Sequence, residues 1–88
     1  MQQYSIFTHK RVDKFLEKHR DVAIEFVKAL EVMRVHVFDP SLDIIKLTGH
    51  WDTHYRLRIS KYRFLFEIID ERVLIYFYDA GSRGKIYK

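Results

Sequence analysis

Between Tyr55 and Tyr78 the chain reads YRLRISKYRFLFEIIDERVLIYFY, three alternating runs divided by two short polar breaks. Strand side chains point to opposite faces in turn, so this pattern admits little besides three antiparallel strands at 55–60, 62–69 and 72–78. With Leu57 and Ile59 facing a core, Arg56 and Arg58 face away. With Phe64, Phe66 and Ile68 facing the same core, Arg63 joins the arginines outside. A three-residue connection would turn Arg63 inward, where an unpaired charge is costly. The loop at Ser60-Lys61 therefore has two or four residues. Ser-Lys is not a favoured two-residue turn, which tips the expectation to four. Either length pairs Leu57 with Phe64 and Arg58 with Arg63, although like charges opposed across strands are destabilising. A turn at Asp70-Glu71 pairs Ile68 with Val73, Phe66 with Ile75 and Phe64 with Phe77. On the outer face it pairs Leu65 with Tyr76 and Arg63 with Tyr78.

Upstream, QQYSIF is a short strand candidate, and Thr8 can cap a helix carrying Val12, Phe15, Leu16 and His19 at helical spacing. Asp21 stands as cap to a second helix with an apolar stripe of Ala23, Phe26, Val27, Leu30 and Met33. That helix ends before Pro40, because the residue preceding proline avoids the helical region. VMRVHVF also alternates like a strand, so the boundary is open by several residues. Residues 39–54 read as a connecting segment. One strand, two helices and a three-stranded antiparallel meander make an α+β domain with both helices on one sheet face. The other face is left for solvent or a partner.

The 88 residues leave room for one domain, 1–88, and not two. Seven Phe supply one compact core, and without Cys no disulfide or thiolate metal site supports it. No signal-peptide pattern opens the chain, and no apolar run nears about 18 residues. The expectation is a soluble cytoplasmic protein with no membrane association. Charge is uneven: residues 1–54 hold eight Lys/Arg and eight Asp/Glu, whereas 55–88 hold eight and four, so the whole excess of +4 lies in the last part. Such asymmetry points to a polyanionic partner, against the plainer reading of a solvated basic surface.

Arg56, Arg58, Arg63, Tyr76 and Tyr78, with Leu65 among them, form an outer face suited to RNA. Guanidinium groups fork onto phosphates and tyrosine rings stack on splayed bases. The tail DAGSRGKIYK leaves beside this face. Its Arg83, Lys85, Tyr87 and Lys88 can reach it, although a basic C-terminus taken alone reads as a frayed, solvated end.

These residues resemble the RelE toxins of the RelE/ParE toxin–antitoxin superfamily. The resemblance spans nearly the whole chain. It rests on the order of elements, on Leu47-Thr48-Gly49 before the first meander strand, and on YRLRI-x(2)-YRFLFEI. The DER turn before VLIYFY and a closing Gly81, Arg83 and Tyr87 complete it. It implies a microbial-RNase-like sheet and a ribosome-dependent endoribonuclease that cuts mRNA in the A site and so inhibits translation. The implied cleavage is metal-independent attack by the RNA 2′-OH, with no cofactor. The implied partners are the ribosome, mRNA and an acidic antitoxin that holds the toxin inactive in a heterotetramer. The family's catalytic positions fall on Arg58, Arg63, Arg83 and Tyr87, with Arg56, Lys61, Tyr78, Lys85 and Lys88 as RNA contacts. One departure bears on mechanism. Well-characterised relatives carry lysines where this chain has Arg56 and Arg58, and one of those lysines serves as base. Arginine stays protonated to about pH 12, so Arg58 is a poor base. His54, Glu67 and Asp79 are the alternatives, and all three stay open. Many relatives also carry His where Ser82 stands.

Two other functions share the scaffold: a ParE-like DNA gyrase poison and a non-catalytic binding module. His50, Asp52 and His54 have ligand-like spacing, but without a third His or a Cys a metal site is not expected. Trp51 reads as a packing or interface residue.

Overall fold

A computed structural model describes residues 3–47 and 53–82 of the chain. Its elements in order are β1 (Ser5–Thr8), α1 (Lys10–Lys18), α2 (Arg20–Met33), β2 (Asp43–Lys46), β3 (His54–Ile59), β4 (Tyr62–Ile69) and β5 (Leu74–Ser82). One five-stranded sheet runs in the order β1-β5-β4-β3-β2. β1 lies parallel to β5, and the other pairs are antiparallel. The α+β class and the meander are as expected, with one strand more. β2 lies inside the segment expected to be a connection. Four residues with two adjacent isoleucines show no readable alternation, yet Ile44 pairs with Leu57 and packs on the core while Ile45 faces out.

The cap of α1 lies one residue, and that of α2 two residues, from where the sequence places them. His9, not Thr8, caps α1: its Nδ1 accepts the Arg11 N–H at 3.1 Å, while the Thr8 hydroxyl donates to Asp13 Oδ1 at 2.6 Å. His19, not Asp21, is the cap residue of α2, and its side chain caps nothing. Its Nδ1 is instead 2.9 Å from the Phe15 carbonyl, and its ring stacks on Phe15 and meets Tyr62 edge-on. α2 buries Val22, Phe26, Ala29 and Met33, a face rotated from the expected stripe, and leaves Ile24 and Val27 exposed. The helix stops at Met33, and the strand-like VMRVHVF forms no strand. An Asp39-to-Ser41 turn follows, in which hydrogen bonding from the Ser41 side chain and then from its backbone N–H holds the Asp39 carboxyl below its usual range, with His36 adding to the effect.

The core lies between the helices and one sheet face: Val12, Phe26, Met33, Leu57, Phe64, Phe66, Ile75 and Phe77 are fully buried. Phe26 stacks on Phe64 at 4.5 Å and meets Phe77 edge-on at 5.0 Å. Among the described residues no helix is long and apolar enough to cross a membrane.

The first hairpin has the expected parity, with Leu57 opposite Phe64 and Arg58 opposite Arg63. Its loop has two residues rather than four, because Ile59 and Tyr62 also pair. Ser60 makes the tight connection by taking the left-handed conformation, φ 56°. In the second hairpin the parity again holds, but the register moves. A 3-10 turn over Asp70–Arg72 lengthens the connection, so Ile68 pairs with Ile75 and Phe66 with Phe77, not with Val73 and Ile75. Phe64 then meets Ala80. The longer turn ends on Val73 at φ 52° and ψ 51°, a conformation that a β-branched side chain adopts at a cost of roughly 1–2 kcal/mol. Val73→Gly is therefore expected to raise stability by about 0.5–1 kcal/mol, since glycine's freer unfolded chain offsets part of the relief. Urea unfolding of the two proteins measures this, and an unchanged or lower midpoint would count against strain at this turn.

Candidate nucleic-acid interface

The sheet face away from the helices carries its polar residues in cross-strand rows. The first row is Gly81, Arg63, Arg58 and Asp43, from β5 across to the β2 edge. The second is Asp79, Leu65, Arg56 and Ile45, and the third Tyr76, Glu67 and His54. β5 reaches Ser82, four residues beyond the expected end at Tyr78, so Gly81 and not Tyr78 stands opposite Arg63. Leu65 likewise faces Asp79 rather than Tyr76, which lies opposite Glu67. The cause is a bulge. Leu65 pairs with Asp79 and the next residue, Phe66, with Phe77, which leaves Tyr78 as the extra residue.

Burial divides the three arginines. Arg56 and Arg63 are each only 8% exposed, whereas Arg58 is open to solvent. Arg56 donates through Nη2 to Asp43 Oδ1 at 2.7 Å, and its buried Nε has no partner among the described residues. Arg58 Nε lies 3.2 Å from the other oxygen, Asp43 Oδ2. Arg63 donates through Nη1 to the Lys61 carbonyl at 3.2 Å, with no carboxylate paired to it among the described residues. A largely buried guanidinium held by one neutral carbonyl keeps its charge for an incoming anion. The Lys61 ammonium is over the Tyr62 ring at 5.6 Å, and that ring packs against Phe15 on the helix side.

The bulge brings Tyr78 to His54, whose Nδ1 is 2.9 Å from the phenol oxygen. The His54 Nε2 lies 3.9 Å from Glu67 Oε2. Burial pushes the Tyr78 phenol pKa up, and the charges of Glu67 and Asp79 push it the same way, so it stays a neutral O–H at neutral pH. With its proton on Nδ1, His54 donates to the Tyr78 oxygen; in the other tautomer it accepts the Tyr78 O–H. Asp79 is occupied locally, its Oδ1 accepting the Ala80 N–H at 2.9 Å.

Of the expected site, the structure therefore assembles Arg56, Arg58 and Arg63 on one face, with Tyr78 and His54 two rows along. Arg83, Lys85, Tyr87 and Lys88 lie outside the described residues, as do His50, Trp51 and Asp52. Among the described residues no group of three His, Cys, Asp or Glu side chains could hold a metal ion. Asp43 was missed by sequence reasoning. Its only signal is an acidic residue before two isoleucines, which acquires meaning once β2 is known to flank β3.

No protein-family model matches the chain, and no curated protein matches it. Solved structures do. A chain of the archaeal RelE–RelB complex from Pyrococcus horikoshii OT3 is 26% identical, over 94% of this chain and 98% of its own, with a TM-score of 0.74. This chain has the RelE toxin fold. The RelE likeness extends to the E. coli DinJ–YafQ toxin–antitoxin complex, with a TM-score of 0.74 at 14% identity over 98% and 99% of the two chains. It also extends to the isolated E. coli RelE toxin, with a TM-score of 0.61 at 24% identity over 96% and 90%. At those identities the similarity is one of fold, and it spans the RelE domain from end to end.

Proposed function

We propose that this protein is the toxin of a type II toxin–antitoxin system and acts as a ribosome-dependent endoribonuclease on mRNA. The observation that carries the reading is the cationic sheet face, with buried Arg63 directly opposite Arg58, on a fold shared with the archaeal RelE chain. The solved complexes of that fold with RelB and DinJ support an antitoxin as partner, and cytoplasmic action follows from the substrate.

The reaction is in-line attack by a 2′-OH on the adjacent phosphate. The P–O2′ bond forms, the P–O5′ bond breaks, the leaving 5′-oxygen takes a proton from water, and the products are a 2′,3′-cyclic phosphate and a 5′-hydroxyl. Arg58 and Arg63 hold the phosphate oxygens as charge accumulates on them, with Arg83 assigned to the same task and Tyr87 to orienting the nucleotide. Arg56, Lys61, Tyr78, Lys85 and Lys88 are assigned to the flanking RNA. His54 is the group we assign to take the 2′-OH proton, because it is the one candidate base with a ring nitrogen fixed by a neutral partner. Tyr78 sets its orientation, and Glu67 Oε2 stands 3.9 Å from its Nε2.

The test is cleavage of a defined mRNA on programmed ribosomes, with cut ends mapped and the products' termini identified. Codon-phased cuts ending in cyclic phosphate are expected. His54→Gln is expected to lower the single-turnover rate by about 10²–10⁴-fold. Intact mRNA would overturn the nuclease reading. Trapped gyrase–DNA complexes on induction would favour the gyrase-poison reading instead. A His54→Gln enzyme with the wild-type rate would return the base to Glu67 or Asp79.

A further inference from the structure

Asp43 stands among residues whose task in the proposed reaction is to bind phosphate, and its negative charge opposes that task. It sits at the start of the edge strand β2, opposite Arg58, and each of its oxygens engages a different arginine. As a store of stability the arm to Arg58 is weak. Asp43 and Arg58 are each about half exposed, and exposed ion pairs of this kind contribute little. Its geometry is more specific. Arg58 is held through Nε, which leaves both its Nη groups uncommitted among the described residues. Arg56 is held through Nη2, with its stem buried beside Leu65. A guanidinium on a flexible stem loses rotamer freedom when it engages a phosphate, and a carboxylate that fixes it beforehand removes that cost from the reaction step.

We infer that Asp43 is a positioning residue, a two-armed carboxylate that aims Arg58 at the scissile phosphate at the expense of RNA affinity. The inference rests on the nuclease reading, and it predicts effects of opposite sign. Asp43→Asn keeps the shape but removes the charge, and its amide N–H₂ turns one arm from acceptor to donor. Binding of a single-stranded RNA oligonucleotide with a 2′-deoxy residue at the cut site is expected to tighten about threefold at low salt, because one opposing charge is gone. The saturated cleavage rate on programmed ribosomes is expected to fall roughly tenfold, because Arg58 is no longer aimed. Asp43→Glu, which keeps both acceptors, is expected to recover most of that rate and the wild-type affinity.

A structural role would give a different result: affinity, rate and melting temperature falling together in Asp43→Asn. That result, or an unchanged rate, overturns the inference. The two readings fail separately. Wild-type protein that binds the oligonucleotide but never cuts overturns the nuclease. The inference fails on binding alone if Asp43→Asn binds the oligonucleotide no more tightly than wild type.

Discussion

Replacing Arg63 with Gln is expected to lower the single-turnover cleavage rate by about two to three orders of magnitude, the usual cost of removing one donor aimed at developing negative charge. The fold is expected to survive. Arg63 is buried to 8% exposure with, among the described residues, one neutral partner, the Lys61 carbonyl, at an exposed turn where water can replace it. Its removal also ends the opposition of two like charges at the Arg58–Arg63 pair. Melting temperature is therefore expected to stay level or rise while activity collapses. Arg63→Lys separates charge from shape: it keeps the cation but not the planar fork, and an intermediate rate is expected. The measurement is cleavage on programmed ribosomes beside a thermal melt. If Arg63→Gln cuts, and arrests growth, as well as the parent, the arginine face is not the reaction centre. If neither protein cuts mRNA and both arrest growth alike, the scaffold is better read as a non-catalytic binding module.

Phe64→Ala is expected to have the largest effect on stability, a loss of about 3–5 kcal/mol. Phe64 is fully buried at the centre of β4, stacked on Phe26 at 4.5 Å and met edge-on by Phe15 at 5.6 Å. An alanine there opens a cavity among rigid rings that cannot close over it. A domain of this size has a total stability of the order of 5–15 kcal/mol, so the variant is expected to be partly unfolded at 37 °C. Chemical denaturation at 10 °C gives the number. A loss below about 1.5 kcal/mol would mean that the aromatic stack repacks easily. Phe64 also follows Arg63 in the same strand, so loosening this ring loosens the support of the cationic pair.

Much of this was legible from the alternation of β3 and β4. A residue on one strand face cannot change faces without a shift of one, and every such shift would have buried an arginine or exposed a phenylalanine. Hence the pairing of Arg58 with Arg63 was readable with no structure at all. What was hidden depends on features that leave parity unchanged. The second turn is longer by a 3-10 turn, which moves the register of β5 by two, and a shift of two keeps every face assignment intact. The bulge at Tyr78 was hidden for another reason: one extra residue after a run of aromatics looks like the strand simply ending. Four-residue β2 was too short to show a period, and with it Asp43 went unseen. The cap of α2 was misplaced because His19 spends its ring on Phe15 rather than on the helix end.

The parallel pairing of β1 with β5 joins the first strand of the chain to the last. Tyr4 Oη donates to Asp70 Oδ1 across a sequence separation of 66 residues, and Ser5 lies against Leu74. β1 has no other strand partner among the described residues. On a translating ribosome, β1 is made first and must wait unpaired until β5 has emerged. Closing so long a loop costs entropy before any contact repays it, which slows the final step further. The arginine rows of β3 and β4 share that delay, because β5 is the flank that completes them. The sheet is thus complete only once β5 has emerged, and until then the arginine rows of β3 and β4 lack their β5 flank.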